Sequence, residues 1–339
     1  MSNPKPPRGF DPAQQSIRAK RKQRRARERL VLLSMFTTVL LILLCVVVFL
    51  ACLITDAVKD RIPEKTDPET EKESSTDEPT PGELLYAQIT KQRSALHTGE
   101  LILVNADHEY VFPNGTAHLV NIFDKRTTVN GAYPYQLNRQ FAIYLHKDAF
   151  AAMEKMMLEF YRVSDGDGSV MIKYSYRTLK DQEALNSVIL PGYSDHHTGY
   201  CIALHQGNVA GYPPLDSFHW IYENCHKYGF IVRYPDGKKD ETGVSDYLHC
   251  FRYVGVAHAT YIAKNGLCLE EYVALLKENY STEHLSILGA DGNQYEVYYI
   301  PAGNNDISTL RVPSNYEYTV SGDNDSGFIV TVNLNAPLA

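Results

Sequence analysis

Apolar positions recur at helical spacing along three stretches of this chain. KDAFAAMEKMMLEFYRVS (147–164), SFHWIYENCHKYGF (217–230) and GLCLEEYVALLKENY (266–280) predict core-facing helices, the second stopping at Gly229. ELLYAQITKQRSA (83–95) carries a shorter amphipathic pattern and is expected to be helical too. LILVNADHEY (101–110), SVMIKYSYRT (169–178), IVRYP (231–235) and HCFRYVG (249–255) alternate or are β-rich and predict strands, with PDGKKDETG turning between the last two. From about 283 the pattern becomes strands only. HLSILGADGNQYEVYYIP has two β-rich runs around ADGN, a hairpin signal, and STLRVP and YEYTVSGDNDSGFIVTVNL continue in kind. The mixture predicts an α+β domain over 83–282, a central antiparallel sheet with flanking helices, followed by a small all-β appendage of three to five strands at 283–339.

The N-terminal quarter obeys other rules. Residues 30–55, LVLLSMFTTVLLILLCVVVFLACLIT, contain no charge. A run of roughly 20 apolar residues spans the ~30 Å hydrocarbon core of a bilayer, so a single transmembrane helix is expected here. A cleaved signal peptide is the competing reading, but its apolar region is shorter, about 7–15 residues. Composition then supplies the orientation. Residues 1–29 hold ten Lys/Arg against Asp11 and Glu28, whereas the whole chain has a net charge of −7. Such a basic flank stays cytoplasmic, so the chain beyond residue 55 is expected outside the cell membrane. Beside a span the cluster reads as a topology signal with some attraction to anionic lipid, and no nucleic-acid partner is expected. Residues 56–82, DAVKDRIPEKTDPETEKESSTDEPTPG, cannot bury enough apolar surface to offset chain entropy and predict a disordered acidic stalk.

The candidate chemistry lies in PGYSDHHTGYCIAL (191–204), where Ser194, His196, Thr198 and Gly199 stand at S-x-H-x-T-G spacing. Upstream, SYRTLKDQ presents Tyr176, Arg177 and Gln182. Downstream come ENCHKYGFIVRYPDGKKDETG (223–243), FRYVG (251–255) and LCLEEY (267–272). On these residues the chain, from about Leu101 to Tyr280, resembles the VanY-type D-alanyl-D-alanine carboxypeptidases, bacterial zinc peptidases that trim peptidoglycan stems. The resemblance implies a D,D-carboxypeptidase/hedgehog-like fold and a bound zinc. The partner it implies is a peptidoglycan stem peptide ending in D-Ala-D-Ala, faced by Arg177, Ser194 and Gln182.

The departures are specific. The family carries S-x-H-x-x-G-x-A-x-D, whose His and Asp bind zinc, and a later E-P-W-H that supplies the general base and the third ligand. Here His196 is kept, Ala203 stands at the Asp, and Cys201 replaces the family's Ala. Ungapped alignment through FRYVG puts Tyr247 at the base and Cys250 at the last ligand. A catalytic zinc needs three protein ligands and an open position, and a carboxylate to take the proton of its water. Alanine has no lone pair, and tyrosine, with a pKa of about 10, is a poor base at neutral pH. A catalytically degenerate member is therefore expected.

Three other arrangements stay open at this level. A register slipped by one makes Asp246 the base and His249 the ligand, with Cys250 absorbed in a bulge. An active or structural zinc site is rebuilt from His196 with Cys250 or His249, and with Cys201, which shares a strand face with Ala203. Or Cys201 and Cys250 form a disulfide where the metal was, as an extracellular compartment permits. A non-enzymatic envelope adaptor working through the C-terminal strands is the remaining functional class.

Overall fold

The computed structural model describes residues 84–338 apart from 140–141, 206–217, 246 and 248. The tail, span and stalk expected at 1–29, 30–55 and 56–82 lie outside the described residues. Among the described residues no helix is long and apolar enough to cross a membrane.

In chain order the strands are β1 (Tyr86–Gln92), β2 (Leu119–Asn121), β3 (Gln136–Leu137), β4 (Tyr144–His146), β5 (Met171–Tyr174), β6 (Cys201–Leu204), β7 (Phe230–Val232) and β8 (Cys250–Tyr253). After residue 283 come β9 (Leu285–Leu288), β10 (Gln294–Pro301), β11 (Ile307–Pro313), β12 (Tyr316–Gly322) and β13 (Gly327–Pro337). The central sheet has the order β3-β5-β6-β8-β7. It is antiparallel except at its edge, where the two-residue β3 runs parallel to β5.

Period-two alternation sorts the side chains of β6 and β8 onto two faces. Ile202, Leu204 and Phe251 enter the main core, where they share a cluster with Ile172, Phe230 and the methionines of the helix Lys147–Val163. Met153, Met156, Met157 and Phe160 of that helix are buried at the spacing the sequence predicts. Cys201 and Cys250 face the other way and form a small cluster with Tyr234.

Two N-terminal expectations are corrected. Residues 83–95 do not form a helix. Tyr86–Gln92 is β1, paired antiparallel with β11 over seven residues, and a 3-10 turn comes next at Arg93–His97. Partnership with a strand more than 200 residues away outweighs a weak local preference. Residues 101–110 are buried at Leu101–Val104 but build no strand beyond an isolated bridge between Asn105 and His108. Their amides are satisfied elsewhere: Leu101 N donates to Ser321 Oγ and Leu103 N to Asp323 O. The helix Val256–Asn265 is an addition, since its alanine-rich buried face gives only a faint periodic signal. Its successor Leu269–Asn279 lies where expected.

The C-terminal strands form a four-stranded sheet, β12-β13-β10-β9, with the predicted hairpin at β9–β10. β11 leaves this sheet to pair with β1, so the C-terminal layer recruits a strand from near residue 90.

Candidate functional site

Local chemistry explains how the site is presented. SDHHTG does not continue a strand. Asp195–Thr198 is a 3-10 turn ended by Gly199 at φ +73°, and β6 begins two residues later. A side chain at 199 would be strained by that backbone, and its Cβ would lie 2.6 Å from Leu119 Cδ2. Thr198 Oγ1 donates to Asp195 O and accepts from Tyr200 N, closing the turn on itself.

Beneath the turn lies an ionic network. Asp195, wholly buried, pairs with both Arg233 and Arg252, whose side chains are also wholly buried. Arg233 makes a two-pronged contact with Glu270 at 2.7 and 2.9 Å, and Asn105 donates to the same carboxylate. Burial works against the charge on Glu270, yet the Arg233 guanidinium beside it holds the carboxyl below its usual range. Sequence reasoning did not assign these residues a role. The signal was an arginine inside each of two apolar strand segments, IVRYP and FRYVG.

The turn holds its two histidines in defined protonation states. A carbonyl only accepts, so His196 Nδ1, 2.7 Å from Ser175 O, carries the proton. Its Nε2 is then an acceptor, 3.2 Å from Tyr247 Oη and 3.8 Å from Cys250 Sγ. His197 donates from Nδ1 to Arg177 O at 2.7 Å and accepts at Nε2 from Gly192 N. Burial, reinforced by the Arg177 charge, pushes the His196 pKa well below the ordinary range, so the ring is neutral.

Arg177 and its neighbours form the second half of the site. Thr178 and Asp181 cap the helix Leu179–Ala184 reciprocally, which aims Gln182 back at Arg177. Gln182 Oε1 accepts from Arg177 Nη1 at 3.1 Å, and its Nε2 donates to Ile189 O. The guanidinium stacks over Tyr174 at 4.7 Å. Arg177 Nε and Ser194 Oγ are buried without a hydrogen-bond partner among the described residues. A cavity of about 220 Å³ opens here, lined in part by Tyr144, Tyr174, Tyr176 and Arg177.

At the positions where the family binds zinc, Ala203 sits directly opposite Cys250 in the β6–β8 ladder, and both are buried. Cys250 Sγ lies beside His196 Nε2. His249 packs edge-on to Tyr247, with a pKa lowered to about 4 by burial. Asp246, the base of the slipped register, lies outside the described residues. Tyr247 stacks on Tyr234, and burial raises its hydroxyl pKa further above its ordinary value, which suits a hydrogen-bond donor rather than a base. Among the described residues no group of three His, Cys, Asp or Glu side chains is placed to hold a metal ion. Among these residues a Cys-Cys-His site is thus not assembled, and the described donors do not fit a catalytic zinc.

The disulfide expectation is also corrected, since Cys201 and Cys250 are free thiols. Cys201 lies opposite Arg252 and only diagonal to Cys250. Diagonal neighbours on a sheet lie about 7–8 Å apart, beyond the usual Cα span of a disulfide. The thiols hydrogen-bond instead, and burial, with this contact second to it, drives the Cys201 pKa well up. Cys250 beside His196 has the composition of a nucleophile and its base. Both side chains are buried.

The chain is similar to known D-alanyl-D-alanine carboxypeptidases. Residues 139–256 match the family model described as VanY, D-alanyl-D-alanine carboxypeptidase. A D-alanyl-D-alanine carboxypeptidase of Enterococcus faecium is 30% identical over 250 residues, covering 72% of this chain and 78% of its own. The bifunctional D-Ala-D-Ala dipeptidase and carboxypeptidase VanXYC of Enterococcus gallinarum is 28% identical over 38% of this chain and 77% of its own. The crystal structure of the vancomycin-resistance D,D-dipeptidase VanXYg superposes with a TM-score of 0.61 at 24% identity, covering 74% of this chain and 99% of that one, and shows the shared α+β fold. The chain, in which the histidines of SDHHTG hydrogen-bond the backbone of SYRTLKDQ, belongs to the D-alanyl-D-alanine carboxypeptidase family.

Proposed function

We propose that this protein is a membrane-anchored member of the family that binds peptidoglycan stem peptides ending in D-Ala-D-Ala outside the cell without hydrolysing them. One observation carries the reading. The binding half of the site keeps polar groups unmet among the described residues, Arg177 Nε and Ser194 Oγ, and Arg177 lines a cavity. The hydrolytic half has Ala203, Cys250 and Tyr247 where ligands and base are needed, with Tyr247 and Cys250 closing on His196 Nε2. A buried guanidinium with an unused donor favours a carboxylate such as a peptide C-terminus. Two ligands and a base missing together remove the water activation that hydrolysis requires.

The anchoring rests on the uncharged run 30–55 and the ten basic residues before it. In this arrangement residues 56–82 hold the folded domain off the membrane as an acidic spacer.

The test is calorimetry with a stem peptide ending in D-Ala-D-Ala, with zinc supplied, combined with an assay for released D-alanine. Saturable binding that is lost in Arg177→Ala, with no D-alanine released, is the expected result. Release at a rate that tracks bound zinc overturns the reading in favour of an active zinc enzyme using His196 with Cys250 or His249. No binding at all favours an adaptor that works through another surface.

A further inference from the structure

A second cavity, about 500 Å³, shares no lining residue with the one beside Arg177. It opens between β8, the start of the helix Val256–Asn265, and the C-terminal sheet. Its walls include Glu100, Tyr253, Tyr295, Tyr316, Glu317 and Tyr318.

The charge balance of this cavity is one-sided. It has two carboxylates and no lysine or arginine in its lining. Its histidine, His258, is held between Tyr272 Oη at 2.7 Å and Thr331 Oγ1 at 2.9 Å, and burial lowers its pKa to about 3, so it stays neutral. Glu100 joins none of the ion pairs found among the described residues. The basic side chain that acts on it, Arg252, is already committed to Asp195 and to the carbonyls of Glu100 and Ile102. Thr319, also in the wall, hydrogen-bonds the Glu100 carboxyl. Burial and then the nearby Asp148 raise the pKa of this partly buried carboxyl, the strain that a bound cation would relieve.

The helix Val256–Asn265 acts in the opposite sense. It begins at the cavity with no side-chain cap, and a helix N-terminus is equivalent to roughly half a positive charge. The two carboxylates of the lining, with four tyrosines beside them, outweigh it.

We propose that this cavity is a binding site for the primary ammonium group of an amino-acid or peptide side chain, seated on the Glu100 carboxylate and walled by the tyrosine rings. It shares no lining residue with the cavity beside Arg177, and a cation–π contact adds to the ion pair where both reach the same ammonium group.

The experiment is isothermal titration of the full-length chain in detergent with Nα-acetyl-lysine methylamide and with its Nε-acetylated twin. Expected is binding of the free amine, weakened about tenfold or more by Nε-acetylation and by Glu100→Gln, and unchanged by Arg177→Ala. If Glu100→Gln does not fold, Tyr318→Ala and Glu317→Gln replace it, each expected to weaken binding severalfold. Equal affinity for the two probes, or no heat from either, overturns the proposal. Loss on Arg177→Ala with none on Glu100→Gln assigns the probe to the first cleft and overturns it as well.

Discussion

Asp195 is the residue on which the site turns, although its neighbour His196 carries the family motif. It is wholly buried and faces two wholly buried guanidinium groups. Removing one partner from a buried ionic group leaves the others uncompensated, which typically costs about 3–5 kcal/mol. Asp195→Asn is therefore expected to lower unfolding stability by about that amount and to loosen the turn that presents Ser194 and His196. Urea denaturation measures the first effect and stem-peptide affinity the second. A change below about 1 kcal/mol would mean that Arg233 and Arg252 find other acceptors, and Glu270 already serves Arg233. Ala203 is the complementary case. Its side chain brings no polar group that the buried β6–β8 face would have to satisfy.

The 3-10 turn Asp195–Thr198 is the element that converts a sequence motif into a site. Gly199 ends it at φ +73°, where an L side chain costs roughly 1–2 kcal/mol, before the overlap with Leu119 is counted. Gly199→Ala is expected to destabilise the protein by more than that backbone penalty and to weaken ligand binding through displacement of Ser194. Chemical denaturation and calorimetry on the variant check both. A variant of wild-type stability would show that β2, which carries Leu119, gives way easily. The β1–β11 ladder illustrates the opposite relation between motif and element. Its sequence, YAQITKQ, satisfies helix and strand patterns alike, and the unpaired edge of β11 decides between them.

At the scale of the whole molecule, buried neutral histidines couple stability to pH. Burial lowers His196 and His197, brings His146 and His249 to about 4, and brings His258 to about 3. The unfolded value is about 6.5, so the unfolded chain takes up protons that the folded one refuses. Their contribution is complete above about pH 6.5 and is lost as pH falls from there toward the folded values. The urea midpoint is expected to hold from about pH 8 to 7 and to fall steadily between about pH 6.5 and 4.5. A flat midpoint across that window would mean that these rings are protonated in the folded state.

The family relationship was legible in the sequence because it rests on residue identities at fixed spacing, and SDHHTG, SYRTLKDQ and FRYVG carry it without reference to distance. The long amphipathic helices were legible for a similar reason: Met153, Met156, Met157 and Phe160 repeat at the period of the helix itself. Also local in origin are the uncharged run and its basic flank, on which the proposed topology depends. Tertiary structure alone decided whatever needed two distant segments to meet. It set Ala203 opposite Cys250 and placed Cys201 on the diagonal. It also gathered Asp195, Arg233, Arg252 and Glu270 into one buried network, and paired β1 with β11. Strand register and ion pairing are set by the energy of packing the whole chain, so no local pattern encodes them.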